Sequence, residues 1–228
     1  MKRIGDSLAG KRVLITQCND FMGPALCAAF NAHGALVIAD DQTLVEPDAS
    51  RNLVERSGQV DVLIANLACP APSSAVHEVT DDEWRDVFAH MVDPLPRLFG
   101  AVAPGMTERG SGKIIVMGSA TALRGQKRTS TYSAARGAQV SYVRAAGAEL
   151  ARHNIQANLI AQHFVDNPMY FPPEVQALEA FKNRLAREVP AGRLGTAEED
   201  ALFAVFLASS EVSFFAGQSF PFAGGWAT

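Results

Sequence analysis

Ser119, Tyr132 and Arg136 are the residues of this chain whose types and spacing suit one reaction. Tyr132 and Arg136 lie four apart in the run STYSAARGA, which reads as helix, so both project from one helix face. A tyrosine phenol has an unperturbed pKa of about 10 and is a poor base near neutrality. A guanidinium beside it stabilises the phenolate, and arginine keeps its charge in nearly any surrounding. A serine hydroxyl near the same point can bind the oxygen that gives up its proton. Together the three make a general base aimed at an alcohol. Taken singly they say less. A Tyr and an Arg four apart often form a surface pair, and a serine past a strand is often a turn residue.

The elements that would bring them together are legible as short apolar runs alternating with helical stretches. Val13-Leu14-Ile15 precedes a helix over 23–33, and the run from Ala35 to Ala39 follows. The run from Asp61 to Ala65 leads to a long helical region over 81–109, and the run from Lys113 to Met117 to a second long helix over 131–153. Gln156 to Ile160 is another buried strand, and Ser219 to Phe222 a last short one. Continuous apolar runs separated by helices predict a parallel sheet covered on both faces, a doubly wound α/β domain of three layers, αβα. Right-handed crossovers would carry the strand C-termini to one edge, where such folds bind ligands. The stretch 164–173, rich in proline and aromatics, is the longest irregular segment before the C-terminal helices.

Composition bounds the rest. The 228 residues suffice for one sizeable core and a single domain over 1–228, and 48% apolar with 19% charged is an ordinary globular balance. A net charge of −4 with no basic block argues against nucleic acid as a partner. No apolar run approaches the length of a membrane span, and the start MKRIGDSLAG lacks the apolar core of a signal peptide. Cys18, Cys27 and Cys69 are too scattered for a disulfide framework and suit a reducing cytoplasm. No His/Cys cluster has metal-ligand spacing, so no metal is expected.

The strand-end Ser119, the tyrosine thirteen residues on and the basic residue four beyond resemble the Ser-Tyr-x-x-x-Lys signature of the short-chain dehydrogenase/reductase superfamily. The run from Arg193-Leu194-Gly195-Thr196 through Phe206-Leu207-Ala208-Ser209 to Gly224-Gly225 resembles it too, so the likeness spans nearly the whole chain and implies a Rossmann-like fold. The departures are as informative. Arg136 stands where that superfamily has the lysine that also binds the nicotinamide ribose. Its Thr-Gly-x-x-x-Gly-x-Gly turn becomes Thr16-Gln17-Cys18-Asn19-Asp20-Phe21-Met22-Gly23. Glycines there allow a tight turn and close backbone approach to pyrophosphate, whereas Gln17 and Phe21 bring side chains into that space. The Pro-Gly pair that usually follows the family's sixth strand is replaced by Gln162-His163, and Asn-Asn-Ala-Gly is reduced to Ala65-Asn66-Leu67-Ala68. Asp40 and Asp41 stand where an acidic residue would hold the adenosine ribose, a position where aspartate is also common for other reasons.

A filled cofactor site beside a retained base resembles the halohydrin dehalogenases, cofactor-free relatives with a Ser-Tyr-Arg triad. That resemblance implies closure of a vicinal haloalcohol to an epoxide with release of chloride or bromide. It also implies the reverse opening of epoxides by halide, azide, cyanide or nitrite. It assigns Ser119, Tyr132 and Arg136 to catalysis and no cofactor. It places the anion against Gln162, His163, Phe164 and Val165, walled by Phe21, Tyr170 and Phe171. It further implies a homotetramer, with the two long helices pairing subunits and their small residues (Ala134, Ala138, Ala145, Ala146, Gly147) permitting close approach. Such residues equally suit packing on the chain's own sheet. His163 could serve as an acid or in the halide site, with loop packing the favoured role. Trp226 could cover its own site, a neighbour's, or a subunit contact. Two rivals remain: a nicotinamide-dependent oxidoreductase with a diverged cofactor site, and a non-enzymatic member of the fold. Gly118-Ser119-Ala120 lacks the G-x-S-x-G elbow of a serine hydrolase.

Overall fold

A computed structural model describes residues 3–227. Six strands, β1 (Arg12–Ile15), β2 (Leu36–Ala39), β3 (Val62–Asn66), β4 (Gly112–Ser119), β5 (Ile155–Gln162) and β6 (Ser219–Phe222), form one sheet in the order β2-β1-β3-β4-β5-β6. Every neighbouring pair is parallel. Successive side chains of a strand point to opposite faces, and both faces here are apolar, which is why the strands read as unbroken hydrophobic runs. Val13, Ile15, Val62, Ile64, Ile115 and Met117 pack against α1 (Gly23–Ala32) and α8 (Ala197–Ala208), through residues such as Leu26, Phe30 and Val205. Leu14, Leu63, Ile114, Val116 and Leu159 pack instead under α2 (Ala49–Ser57), α4 (Pro94–Arg109) and α5 (Ser130–Leu150), against Leu53, Leu98, Val102 and Val143. Truncating one such buried leucine to alanine typically costs about 2–5 kcal/mol. The doubly wound, three-layer αβα arrangement is therefore observed.

Two local differences from the sequence reading have physical reasons. The region 81–109 is two helices, α3 (Asp81–Met91) and α4, because Pro94 has no N–H and disfavours helix at the preceding residue. At the break the N–H of Asp93 reaches back to Phe88 O at 3.0 Å, one residue further than the α-helical partner. Helix α2 was not anticipated, since its only fully buried apolar side chain is Leu53. Gly147 faces the chain's own sheet: a Cβ there would lie 2.4 Å from the backbone nitrogen of Gly217 and 2.8 Å from Ala157 O. Of the other small residues on α5, Ala134, Ala138 and Ala146 are half-buried and Ala145 is exposed. Beyond β5 the irregular segment gives way to α6 (Pro173–Gln176) and α7 (Glu179–Glu188). No helix among the described residues is long and apolar enough to cross a membrane.

Candidate active site

The C-terminal ends of β3, β4 and β5 open onto a cavity of about 280 Å³. Ser119 is the last residue of β4, in register with Gln162, the last of β5. Its hydroxyl sits 3.0 Å from that of Thr121 and accepts the Thr121 N–H at 3.3 Å, so the side chain is already oriented. Tyr132 lies in the first turn of α5, and Arg136 follows one turn later on the same buried face. The Arg136 guanidinium donates through Nη1 to Met117 O (2.8 Å), Leu67 O (3.1 Å) and Gln139 Oε1 (2.9 Å). It stands 5.0 Å from the centroid of the Tyr132 ring. None of these oxygen partners carries a formal charge, and the buried Nε has no partner. A buried cation without a counter-charge destabilises a fold unless something else in the site uses it. Here it gives the cavity floor a fixed positive potential.

The turn after β1 borders the same cavity and is built differently. Gln17 and Phe21 have φ of 47° and 52°, the left-handed region that glycine adopts freely and other residues at a cost of roughly 1–2 kcal/mol. These are two of the three positions where the superfamily's turn carries glycine, so the backbone path is kept while side chains have been added to it. The Gln17 amide is used up within the protein: Nε2 donates to Ala68 O and Oε1 accepts from Ala68 N, both at 2.8 Å. Asn66 Nδ2 donates to Gln17 O and Asp20 O at 3.1 and 3.2 Å, tying the turn to the end of β3. The Phe21 ring lies 6.0 Å from that of Tyr170, closing an aromatic wall. Only Gly23 remains obligatory, because a Cβ there would meet Gln17 O at 2.3 Å. Asp40, at the end of β2, is ion-paired with Arg56 rather than left open.

The opposite wall runs from Gln162 to Phe171. Phe164 also has a left-handed backbone (φ 52°), and its ring stacks on Phe171 at 5.9 Å. The Arg184 guanidinium lies 5.2 Å from the Phe164 ring centroid. His163 is sandwiched between Phe164 and Trp226, with ring centroids 4.4 and 3.9 Å away. Burial first, then the Arg184 charge, push its pKa down to about 4. His163 is therefore neutral near pH 7. Its Nδ1 accepts the Phe164 N–H at 3.1 Å, so the proton resides on Nε2, which donates to Gln126 Oε1 at 3.1 Å. The imidazole is packed between two aromatic rings. Trp226 is buried against the chain's own His163 and beneath Arg124, 4.7 Å from its ring. The Tyr170 hydroxyl donates to Cys69 O at 3.2 Å, and burial, then proximity to Tyr132, raise its pKa.

All ten residues singled out from the sequence, from Phe21 to Phe171, line this one cavity. One detail of the expected anion cradle changes. The N–H groups of His163 and Phe164 are committed, to Phe222 O at 3.0 Å and to His163 Nδ1, so these two backbone donors are not free for an anion. Sequence reasoning missed Thr121, which orients Ser119, and Gln139, which anchors Arg136 from the next turn of α5. It also missed Asp200, whose fully buried carboxylate accepts from Gln162 Nε2. The only signal for Asp200 was an acidic residue in the first turn of a helix, where acids are expected for other reasons. Among the described residues no group of His, Cys, Asp or Glu is placed to hold a metal ion.

Residues 9–227 match the family model described as Enoyl-(Acyl carrier protein) reductase. The 3-oxoacyl-[acyl-carrier-protein] reductase FabG of Pseudomonas aeruginosa is 29% identical, over 96% of this chain and 98% of its own. The 2-keto-3-deoxy-L-fuconate dehydrogenase of Xanthomonas campestris is 32% identical, over 96% of this chain and 81% of its own. Among solved structures, one described as a dehalogenation enzyme superposes with a TM-score of 0.89 at 32% identity, covering 97% of this chain and all of that one. A halohydrin dehalogenase (HheC) bound to ethyl (2S)-oxiran-2-ylacetate superposes at 0.88 with 26% identity, covering 96% and 98%.

Proposed function

The chain belongs to the short-chain dehydrogenase/reductase superfamily, and we propose that within it this protein is a halohydrin dehalogenase. One observation carries the reading: the glycine positions of the nucleotide turn hold Gln17 and Phe21 in glycine-like backbone, with the Gln17 amide spent on Ala68. A nicotinamide dinucleotide does not fit that turn. Its pyrophosphate would need the space these side chains fill, the ribose-binding lysine is an arginine turned onto carbonyl oxygens, and Asp40 is paired with Arg56. The likeness to two solved dehalogenases, one bound to an epoxide, supports the same reading.

In the proposed reaction Ser119 and Tyr132 hold the hydroxyl oxygen of a vicinal haloalcohol. Tyr132, as phenolate, takes the hydroxyl proton, with Arg136 supplying positive charge behind the ring. The alkoxide oxygen forms a bond to the adjacent carbon from the side opposite the halogen. The carbon–halogen bond breaks and halide leaves with its electron pair. The proton then passes from Tyr132 to solvent. No hydride moves, so no redox cofactor enters the balance. Run in reverse, a small anion opens the epoxide and Tyr132 returns the proton. Neutral aromatic walls suit a large, weakly hydrated anion.

The second reading, a nicotinamide-dependent oxidoreductase, rests on the curated relatives, which are reductases and dehydrogenases by name. One assay separates the two. Halide release from a small vicinal bromoalcohol is followed with and without NAD(P). Release that needs no dinucleotide supports the dehalogenase. No release, together with saturable NADH or NADPH binding in the micromolar range, supports the oxidoreductase.

A further inference from the structure

Asp200 is a fully buried carboxylate at the first turn of α8, where Thr196 and Glu199 already form the capping box and leave it no capping duty. One carboxylate oxygen accepts from Gln162 Nε2, and the other, Oδ1, is buried without a hydrogen-bond partner. Gln162 in turn ends β5 beside Ser119 and lines the cavity where the anion is placed above. With the His163 and Phe164 N–H groups committed elsewhere, the Gln162 amide is a polar group on that wall with a choice of what it presents.

We propose that Asp200 is a positioning residue for the anion site, and that its proton decides which end of the Gln162 amide faces the cavity. The proposal rests on the dehalogenase reading. An ionised Asp200 has no proton to give and accepts from Nε2, which leaves the amide oxygen toward the cavity. A protonated Asp200 donates to Oε1 and turns the NH2 group toward the cavity as a donor. Both effects act in one direction, because the ionised state also places a buried negative charge behind a bound anion. Anion binding and proton uptake by Asp200 are thus linked, and each favours the other.

The groups around this pair do not confuse the effect. Burial drives Asp200 up to about 7, opposed by the Gln162 bond, and no ionised neighbour contributes. On α8, Glu199 is held down to about 2 by Arg193 and stays charged. The packed face of α1 offers only Cys27, whose thiol is raised by burial. On β4, Lys113 is lowered to about 8 by burial, but it stands at the strand end opposite Ser119. On the loop, His163 stays neutral above about pH 4.

The test measures bromide binding in Tyr132→Phe protein, which removes turnover and the catalytic phenol together. Affinity should fall about tenfold or more between pH 6 and pH 8.5, a change equal to one lost proton linkage. Asp200→Asn in the same background should bind bromide with the low-pH affinity at every pH, since the asparagine NH2 donates permanently to Gln162 Oε1. A second measurement leaves residue 200 unchanged: calorimetry in buffers of different ionisation enthalpy should show proton uptake on bromide binding at pH 7.5. Bromide binding with no pH dependence, no proton uptake, or an unaltered profile in Asp200→Asn overturns the proposal and leaves the dehalogenase reading standing. No bromide binding at any pH overturns both.

Discussion

The first turns of α5 and the turn after β1 border the same cavity, and their key side chains are satisfied in opposite directions. Arg136 is held by two carbonyls and an amide oxygen, yet its charge is left without a counter-ion and is felt in the cavity. Gln17 has the reverse arrangement, with both ends of its amide consumed by the backbone of Ala68 and nothing offered outward. The first region stores electrostatic free energy and the second stores backbone strain, at Gln17 and Phe21. In a folded protein each is tolerated only where surrounding contacts over-determine it. Polarity is kept where the proposed reaction moves a proton and spent internally where a dinucleotide would lie in the superfamily's turn.

Four substitutions break or sharpen that contrast. Tyr132→Phe removes the proton acceptor while keeping the ring beneath the guanidinium, and haloalcohol turnover should fall by about 10³-fold or more with the fold intact. A circular dichroism spectrum alongside the rate separates this from unfolding, and turnover near the parent rate would end the assignment. Arg136→Lys should reduce kcat by about 10²-fold, since an ammonium on a different stem cannot serve the three oxygens that fix the guanidinium. Steady-state kinetics would show the loss in kcat more than in KM. On the other side of the cavity, Phe21→Ala opens the aromatic wall, so KM for azide in epoxide opening should rise by about tenfold with a smaller change in kcat. The smallest effect is expected for Gln17→Gly, which relieves strain of roughly 1–2 kcal/mol and loses two hydrogen bonds of about 1 kcal/mol each. Chemical denaturation should place it within about 1 kcal/mol of the parent protein, and calorimetry should still show no NADH binding.

Much of this contrast was readable before any coordinates. The buried strands announce themselves because a parallel sheet covered on both faces needs no polar alternation, and Tyr132 and Arg136 share a helix face by spacing alone. The lost turn glycines were equally plain. What the sequence could not display was contact made by topology. Gln17 and Ala68 are 51 residues apart and meet only because β1 and β3 are neighbours in the sheet. Gln162 and Asp200, 38 apart, meet across the packing of α8 on the sheet. Pro94 separates α3 from α4, a signal passed over when 81–109 is read as one helical region. Helix α2 buries too little apolar surface to stand out.

The wall formed by Gln162 and His163 carries one more consequence, for folding rather than turnover. Burial holds two titratable groups there in their neutral forms, one acid and one base. The folded pKa of Asp200 is about 7, above the unfolded value near 3.9, so its contribution is complete at low pH and is lost as pH rises through about 7. The folded pKa of His163 is about 4, below the unfolded value near 6.5, so its contribution is the reverse: stability is lost as pH falls from about 6.5 toward 4. Between about pH 4 and pH 6.5 the folded chain holds one proton that the unfolded chain lacks and lacks one that it holds. The two slopes cancel, and this wall leaves the melting temperature level across that window. Removing either partner uncovers the other. Asp200→Asn should melt higher as pH rises from 4 to 6.5, and His163→Gln should melt lower over the same range.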